Sequence, residues 1–173
     1  AIALARNGNY RQALEAFRLI VAANTADYDA RVWIARLHGW LGDPAQAETV
    51  YRSVLRDSPD YVDAVVGLGG NLVALGRPQE AVDLLAAAVR RSPDNPGVLA
   101  ALARAYFRLA RTSRAKQLIE RAVALEPSRD NRLAREQILN THAHRVEINS
   151  WVEDFGTALP GGRSTDVTVN LRL

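Results

Sequence analysis

Two short segments of this sequence combine aromatic side chains with arginine, a combination suited to binding. Their members are Trp33, Arg36 and Trp40, then Arg104, Phe107 and Arg108. Arginine can hold a carboxylate through two parallel hydrogen bonds and can stack on aromatic rings. Tryptophan and arginine are the residue types most enriched among binding hot spots, and a tryptophan face also stacks on a sugar ring. These residue types therefore indicate recognition of a ligand.

Residues that could catalyse a reaction are scarce. His142 and His144 could chelate a metal together with Glu147, but a His-x-His pair near a helix end is usually solvated. His38 falls at a packing position, which favours a partly buried structural histidine. The glycine-rich segment 67–70 lacks the preceding strand and the following lysine of a phosphate-binding loop. We therefore predict a protein that is not an enzyme and has no metal site and no cofactor.

The composition excludes several classes of protein. The chain has 173 residues, 22 basic and 19 acidic side chains, and a formal net charge of +3. Apolar residues make up 48% of the chain, which allows a packed core and argues against global disorder. The lack of cysteine excludes disulfides, thiolate catalysis and cysteine-based metal sites. No basic run reaches the density of a nucleic-acid tract, and no apolar run approaches the ~20 residues of a membrane-spanning helix.

The same residue types recur every 34 residues over residues 1–127. One column holds alanine, a second holds bulky apolar residues, a third holds glycine or alanine, and a fourth holds mostly proline. In that order the columns are Ala13, Ala47, Ala81 and Ala115; Phe17, Tyr51, Leu85 and Ile119; Gly8, Gly42, Gly76 and Ala110; and Thr25, Pro59, Pro93 and Pro127. This register predicts a pair of antiparallel helices in each cycle, in which the glycine ends the first helix and the proline follows the second.

The register predicts nine helices. The expected spans are 1–6, 9–24, 28–41, 44–57, 61–75, 78–91, 96–109, 112–125 and 129–141. Asp43 before Pro44 and Asn95 before Pro96 fit helix starts, because an Asx side chain can cap the first turn and proline suits its first position. The last helix carries Glu136 where the earlier pairs are apolar, as expected of a helix that covers the end of a stack.

The packing columns resemble those of the tetratricopeptide repeat family. The family's Leu-Gly/Ala pair is present as Ile34-Ala35, Leu68-Gly69 and Leu102-Ala103. The early tryptophan column and most of the tyrosine column depart from the family pattern, but the small residues that allow close helix packing are kept. The resemblance implies an all-α fold, an α-solenoid in which about three and a half antiparallel helix pairs form a right-handed superhelix.

In this family the first helix of each pair lines a concave groove in which ligands bind. The resemblance therefore identifies the ligand-binding groove residues as Trp33, Arg36, Trp40, Arg104, Phe107 and Arg108. The same register adds Asp29, Val32, Gly39, Asp63, Val66, Gly67, Gly70, Val73, Gly97, Ala100 and Ala101, with Asn131 and Arg135 on the last helix. The alternative is that one or both tryptophans only fill the interface between neighbouring repeats.

Beyond about residue 141 the register is lost. Residues 145–153 and 166–173 alternate polar and apolar side chains, which predicts a short C-terminal β-hairpin tail. The tail resembles the opening strands of a YaiO-type outer-membrane β-barrel, and polysaccharide-export porins share the plan of a periplasmic repeat region followed by a barrel. The alternatives are a soluble hairpin docked on the last helix and an arm that joins two copies as a homodimer.

The predicted organisation is a tetratricopeptide array at 1–127, a capping helix at 128–141 and a β-hairpin tail at 142–173. The function hypothesis is a scaffold that binds a protein or peptide segment in its groove, in the periplasm beside an outer-membrane protein. The alternative function is a guide for an anionic or deacetylated polysaccharide during export, and the alternative location is the cytoplasm. Nucleic acid is not an expected partner, and a membrane would be reached only through a barrel outside this chain.

Overall fold

The computed structural model describes residues 1–140, and the regular elements in this range are all α-helices. They are α1 (Ile2–Arg6), α2 (Tyr10–Ala23), α3 (Tyr28–Trp40), α4 (Pro44–Asp57), α5 (Val62–Ala74), α6 (Pro78–Arg91), α7 (Pro96–Arg108), α8 (Thr112–Leu125) and α9 (129–140). Their bounds agree with the predicted spans to within one residue. None of these described helices is both long and apolar enough to cross a membrane.

The chain divides into two units. The first unit, Ala1–Leu139, is compact, and the second comprises Asn140–Leu173. The second unit lies outside the described residues except for its first residue, so the predicted β-hairpin tail at 142–173 falls there too. The helix pairs described below all belong to the first unit.

Each first helix of a pair ends just before a residue with positive backbone φ. The angles are +80°, +84° and +73° at Gly8, Gly42 and Gly76. Ala110 takes the same left-handed conformation in the fourth pair, with φ of +57°. The next residue can then turn back, so that the backbone N–H of Arg111 donates to the carbonyl oxygen of Tyr106 at 2.9 Å. Glycine adopts this conformation without a steric cost, which explains the predicted glycine column.

Four helix starts are fixed by a side-chain oxygen, and at the start of α9 this is Ser128 Oγ, which accepts from the backbone N–H of Asn131 at 3.2 Å. Asp43 Oδ1 accepts from the backbone N–H of Gln46 at 3.1 Å, and Asn95 Oδ1 accepts from that of Val98 at 3.0 Å. Asp27 caps α3 in the same way, which the sequence analysis did not predict. Prolines open α4, α6 and α7, where their fixed φ suits a helix and their missing N–H costs no hydrogen bond.

The helix pairs form a stack in which contacts run between neighbours. Each second helix packs against the first helix of its own pair and of the next pair, and the first helices α3, α5 and α7 contact one another in succession. Close approach within pairs depends on small residues, and the whole alanine column is at most 1% exposed. A Cβ on Gly69 would lie 2.7 Å from Cδ1 of Leu85, so a larger residue there would force the Leu85 side chain to move. We call the exposed side of α3, α5 and α7 the first-helix face.

Helix α9 covers the last pair. Its Ala134 and Ile138 are buried in the same core cluster as Ile119 of α8. On its other side Glu136 is exposed, in agreement with the polar face predicted for a terminal helix. Arg135 Nε donates to Glu120 Oε1 at 2.9 Å and so joins α9 to α8.

Candidate functional site

The six predicted binding residues lie on two helices of the first-helix face. They are Trp33, Arg36 and Trp40 on α3, and Arg104, Phe107 and Arg108 on α7. Spacings of three and four residues place Trp33, Arg36 and Trp40 along one side of α3, and Arg104 lies on the same side of α7 as both Phe107 and Arg108, which are three and four residues further on. Helix α5 contacts both α3 and α7, so the two trios are separated by one intervening helix. The structure therefore presents two neighbouring groups on one face.

The two tryptophans of α3 have different environments. Trp33 stacks on Phe17 of α2 with ring centroids 5.6 Å apart and an interplanar angle of 6°, so it fills the α2–α3 interface. Trp40 is 51% exposed. Its ring meets Trp33 edge-on at 6.2 Å and lies 5.3 Å from the ring of Tyr10. Trp33 is therefore half-buried between two neighbouring repeats, whereas Trp40 offers a supported aromatic surface to a ligand.

Arg36 is held beside this aromatic cluster. Its guanidinium carbon lies 5.3 Å from the ring centroid of Trp33, and Nη2 lies 3.6 Å from Oδ2 of Asp63 on α5. Burial raises the pKa of the neighbouring Tyr51 to about 12, and the opposing effect of Arg36 is smaller. Tyr51 is therefore neutral at physiological pH. Because Tyr51 is neutral, the exposed carboxylate of Asp63 is the charged partner of Arg36 in this site, and it compensates the arginine charge only partly.

A surface pocket of about 500 Å³ lies between these side chains and α5. Its walls combine small residues, aromatic rings and a few polar groups, which is the usual make-up of a ligand pocket. The lining residues are Ala35, Arg36, Gly39, Trp40, Gly42, Pro44, Tyr51, Gly67, Asn71 and Ala74. We call this depression the α3–α5 pocket.

The α7 trio is less crowded by aromatic rings. Arg104 is exposed, but surrounding protein atoms desolvate its guanidinium and lower its pKa, an effect that Asp130 partly offsets. Among residues 1–140, Arg104 and Arg108 make no ion pair. Phe107 is half-buried and packs against the core cluster shared with α9. An exposed guanidinium without a salt-bridge partner is suited to a carboxylate ligand.

Several residues predicted to face the groove do not reach solvent. Val32, Ala100 and Ala101 are 1%, 1% and 5% exposed, because they pack against adjacent helices. Asn131 is 6% exposed, and its Nδ2 donates to the carbonyl oxygen of Glu126 at 2.9 Å. These predictions were wrong because repeat register gives the direction of a side chain but not the distance to the next helix.

Two further predicted positions are used in contacts within the protein. Asp29 accepts a short hydrogen bond from the hydroxyl of Tyr61, which raises the pKa of Tyr61 to about 12. Arg135 is paired with Glu120. Both residues therefore contribute to helix contacts before any ligand binds.

The described residues hold no group of three or more side chains suited to a metal ion. His38 is half-buried, as predicted, with Nδ1 at 4.0 Å from Oδ2 of Asp43. His142, His144 and Glu147 lie outside the described residues.

Sequence reasoning did not identify three residues of the α3 site. Tyr10 supports Trp40, Tyr51 closes one wall of the pocket, and Asn71 donates from Nδ2 to the carbonyl oxygen of Pro44 at 2.9 Å. Asn71 could have been noticed as the lone polar side chain in an apolar stretch of α5. No local signal places Tyr10 against Trp40, since α2 must first dock on α3.

Helix pairs repeated every 34 residues, with buried small-residue columns and an accessible first-helix face, define an α-helical repeat protein. Tetratricopeptide repeat models match residues 34–96 and 72–137, and together they span more than half of the chain. The chain belongs to the tetratricopeptide repeat family. Proteins of this family act as protein-interaction scaffolds, and their fold is typically non-catalytic.

Several solved structures share this fold. TTC0263, a thermophilic protein of Thermus thermophilus, is 24% identical, with a TM-score of 0.76 over 82% of this chain and 78% of that chain. PilF of Pseudomonas aeruginosa is 20% identical, with a TM-score of 0.69 over 94% of this chain and 74% of that chain. YrrB, described as a tetratricopeptide repeat protein with an unusual peptide-binding site, is 16% identical, with a TM-score of 0.61 over 78% of this chain and 69% of that chain. No curated protein matches the chain.

Proposed function

We propose that the first-helix face binds an extended segment of a partner protein. The observation that carries this proposal is the half-exposed indole of Trp40, supported by Tyr10 and Trp33 and adjoining the α3–α5 pocket. An aromatic side chain already fixed by its neighbours loses little conformational entropy when a ligand covers it. Arg36 at the same pocket supplies hydrogen-bond donors for the ligand backbone or a carboxylate.

The α7 trio extends the proposed surface past α5. Arg104 is an exposed cation that lacks an ion-pair partner in the described part of the chain, so its guanidinium can donate to an incoming carboxylate. Gly70 of α5, between the two trios, leaves open space where a side chain would stand. A peptide backbone can therefore approach α5 closely while its side chains meet Trp40 and Arg104.

The proposal is tested with peptides selected from a random phage-displayed library on the immobilised full chain. The affinity of an enriched peptide is then measured by calorimetry against the wild type, Trp40→Ala and Arg104→Ala. We expect each variant to weaken binding about tenfold or more, because hot-spot side chains contribute roughly 2 kcal/mol. The matched controls are Leu19→Ala, whose side chain is 74% exposed on α2, and Arg90→Ala, an exposed arginine on α6.

Equal losses in the variants and in their controls would contradict binding at this face. A polysaccharide ligand is the second candidate, and the flat exposed indole of Trp40 beside Arg36 favours it. An anionic oligogalacturonate that quenches tryptophan fluorescence in the wild type but not in Trp40→Ala would replace the peptide proposal with the glycan one.

We also propose that the protein works in the periplasm beside an outer-membrane β-barrel. This rests on the resemblance of segments 145–153 and 166–173 to barrel strands, both of which lie outside the described residues. The parent gene provides the test. Further alternating strands encoded downstream of Leu173 would support the proposal, whereas a stop codon directly after Leu173 would contradict it and favour the cytoplasm.

A further inference from the structure

Positive charge is concentrated in one part of the stack. Between Asp94 and Glu120 the sequence contains five basic residues and no acidic residue. They are Arg104, Arg108, Arg111, Arg114 and Lys116. Elsewhere several arginines form ion pairs, such as Arg91 with Asp60 and Arg121 with Asp94. None of the five basic residues forms an ion pair with another residue in 1–140.

Two of these cations are held by one aromatic ring. The guanidinium carbons of Arg111 and Arg114 lie 5.9 Å and 5.7 Å from the ring centroid of Tyr106. The ring is half-buried and packs against both adjacent core clusters, so its position is fixed. Two like charges on one ring repel each other, and this repulsion would be relieved by an anion. The guanidiniums are thus arranged for a ligand before it arrives.

The surrounding surface is open. Arg108, Arg111 and Arg114 are all exposed, and residues 110–114 line a shallow depression of about 470 Å³ at the α7–α8 turn. Each guanidinium offers a planar set of N–H donors that matches a carboxylate. We call Arg108, Arg111 and Arg114 the α7–α8 basic edge.

We propose that the α7–α8 basic edge docks an acidic segment of a partner protein, with consecutive aspartate or glutamate side chains on the guanidiniums. The basic segment is short, because it begins after Asp94 and ends before Glu120, and α9 carries a further acidic residue, Asp130. Nucleic acid and anionic membranes favour longer basic tracks or broader basic surfaces than three arginines supply. The edge shares Arg108 with the α7 trio of the proposed peptide site, but Arg111 and Arg114 lie outside that site. Substitutions at Arg111 and Arg114 therefore test the edge, and substitutions at Trp40 and Arg104 test the peptide site.

The test uses the full chain and a fluorescein-labelled peptide of about six glutamates, titrated by fluorescence anisotropy at about 50 mM NaCl. We expect saturable binding that weakens about tenfold at roughly 300 mM NaCl, because salt screens exposed charges. The double variant Arg111→Gln/Arg114→Gln is expected to weaken binding about tenfold or more. The control Arg56→Gln/Arg90→Gln removes the same charge from exposed sites that also lack ion pairs within 1–140, and it should weaken binding less than about twofold.

Each of the following outcomes would overturn the proposal. Equal weakening by both double variants would show that binding depends only on the net charge of the protein. Equal binding of the matching glutamine peptide, or no binding of the glutamate peptide, would exclude carboxylate recognition. Tighter binding of duplex DNA or of anionic phospholipid vesicles that depends on Arg111 and Arg114 would assign the edge to that partner. Failure of the peptide-library test at Trp40 and Arg104 would leave the basic edge unaffected.

Discussion

Ala110 shows how a single residue can depart from its column without changing the fold. The corresponding residues of the three preceding pairs are glycines with φ between +73° and +84°, and Ala110 takes φ of +57° despite its Cβ. The backbone N–H of Arg111 still reaches the carbonyl oxygen of Tyr106, so the helix end is closed in the usual way. The steric strain of the left-handed conformation is therefore confined to the turn that carries the α7–α8 basic edge.

Replacing Ala110 with glycine should stabilise the protein. Glycine removes the steric cost of the left-handed conformation, and its greater freedom in the unfolded chain offsets part of that gain. We expect the free energy of unfolding in urea to rise by about 1 kcal/mol. Ala124→Gly in the last turn of α8 is the control, and it should lower that free energy by about 0.5–1 kcal/mol. A loss of stability in Ala110→Gly would show that this turn is not strained.

Helix α5 carries three glycines whose environments differ. A Cβ on Gly67 would lie 2.6 Å from Cζ of Tyr51, and one on Gly69 would lie 2.7 Å from Cδ1 of Leu85. A Cβ on Gly70 would meet nothing within 4 Å. A methyl group at either of the first two positions would force Tyr51 or Leu85 to move, while Gly70 weakens the helix and keeps the first-helix face open. Close helix packing is therefore found at Gly67 and Gly69, but not at Gly70.

A matched pair of substitutions in α5 separates these roles. Gly67→Ala should lower the free energy of unfolding by about 1–3 kcal/mol, because the buried ring of Tyr51 has little room to move. Gly70→Ala should raise it by roughly 0.5–1 kcal/mol through better helix propensity. The free energy of unfolding of each variant is measured by urea denaturation, with circular dichroism as the signal. The same sign of change in both variants would contradict the contacts described here.

At the scale of the whole unit Ala1–Leu139, stability is built from contacts between neighbouring helices. Helix α8 contacts α7, and its Ile119 is buried with residues of α7 and α9. Near the other end, Phe17 and Leu37 belong to a separate core cluster of α1, α2 and α3. In such a stack a local defect weakens adjoining helices more than distant ones.

The substitution Ile119→Ala should destabilise the helices around α8 more than the distant ones. A buried Ile→Ala change costs about 2–5 kcal/mol, because it removes apolar contacts and leaves a cavity. Native-state hydrogen exchange should accelerate by roughly 30-fold or more in α7, α8 and α9, and by less than about threefold in α2 and α3. Leu85→Ala, at the equivalent position of the preceding pair, is the control, and its effect should centre on α5, α6 and α7. Uniform acceleration in every helix would instead indicate one cooperative unit.

The positions of the helices and their order could be predicted from local residue patterns. Helix ends depend on local chemistry, as at the caps Asp43 and Asn95 and at the glycines with positive φ. The 34-residue register also determined which columns are buried, because each pair repeats the same contacts. Membership of the tetratricopeptide repeat family follows from the same columns.

Only the tertiary structure decided which side chains of the first-helix face reach solvent. Trp33 and Trp40 are both predicted groove residues, yet Trp33 is covered by Phe17 and Trp40 is half-exposed. Gly67 and Gly70 also look alike in the sequence, and only the position of Tyr51 separates them. Exposure depends on the distance to a neighbouring helix and on the size of the side chains it carries. Both quantities are set by residues far away in the chain, so the register of a single helix cannot supply them.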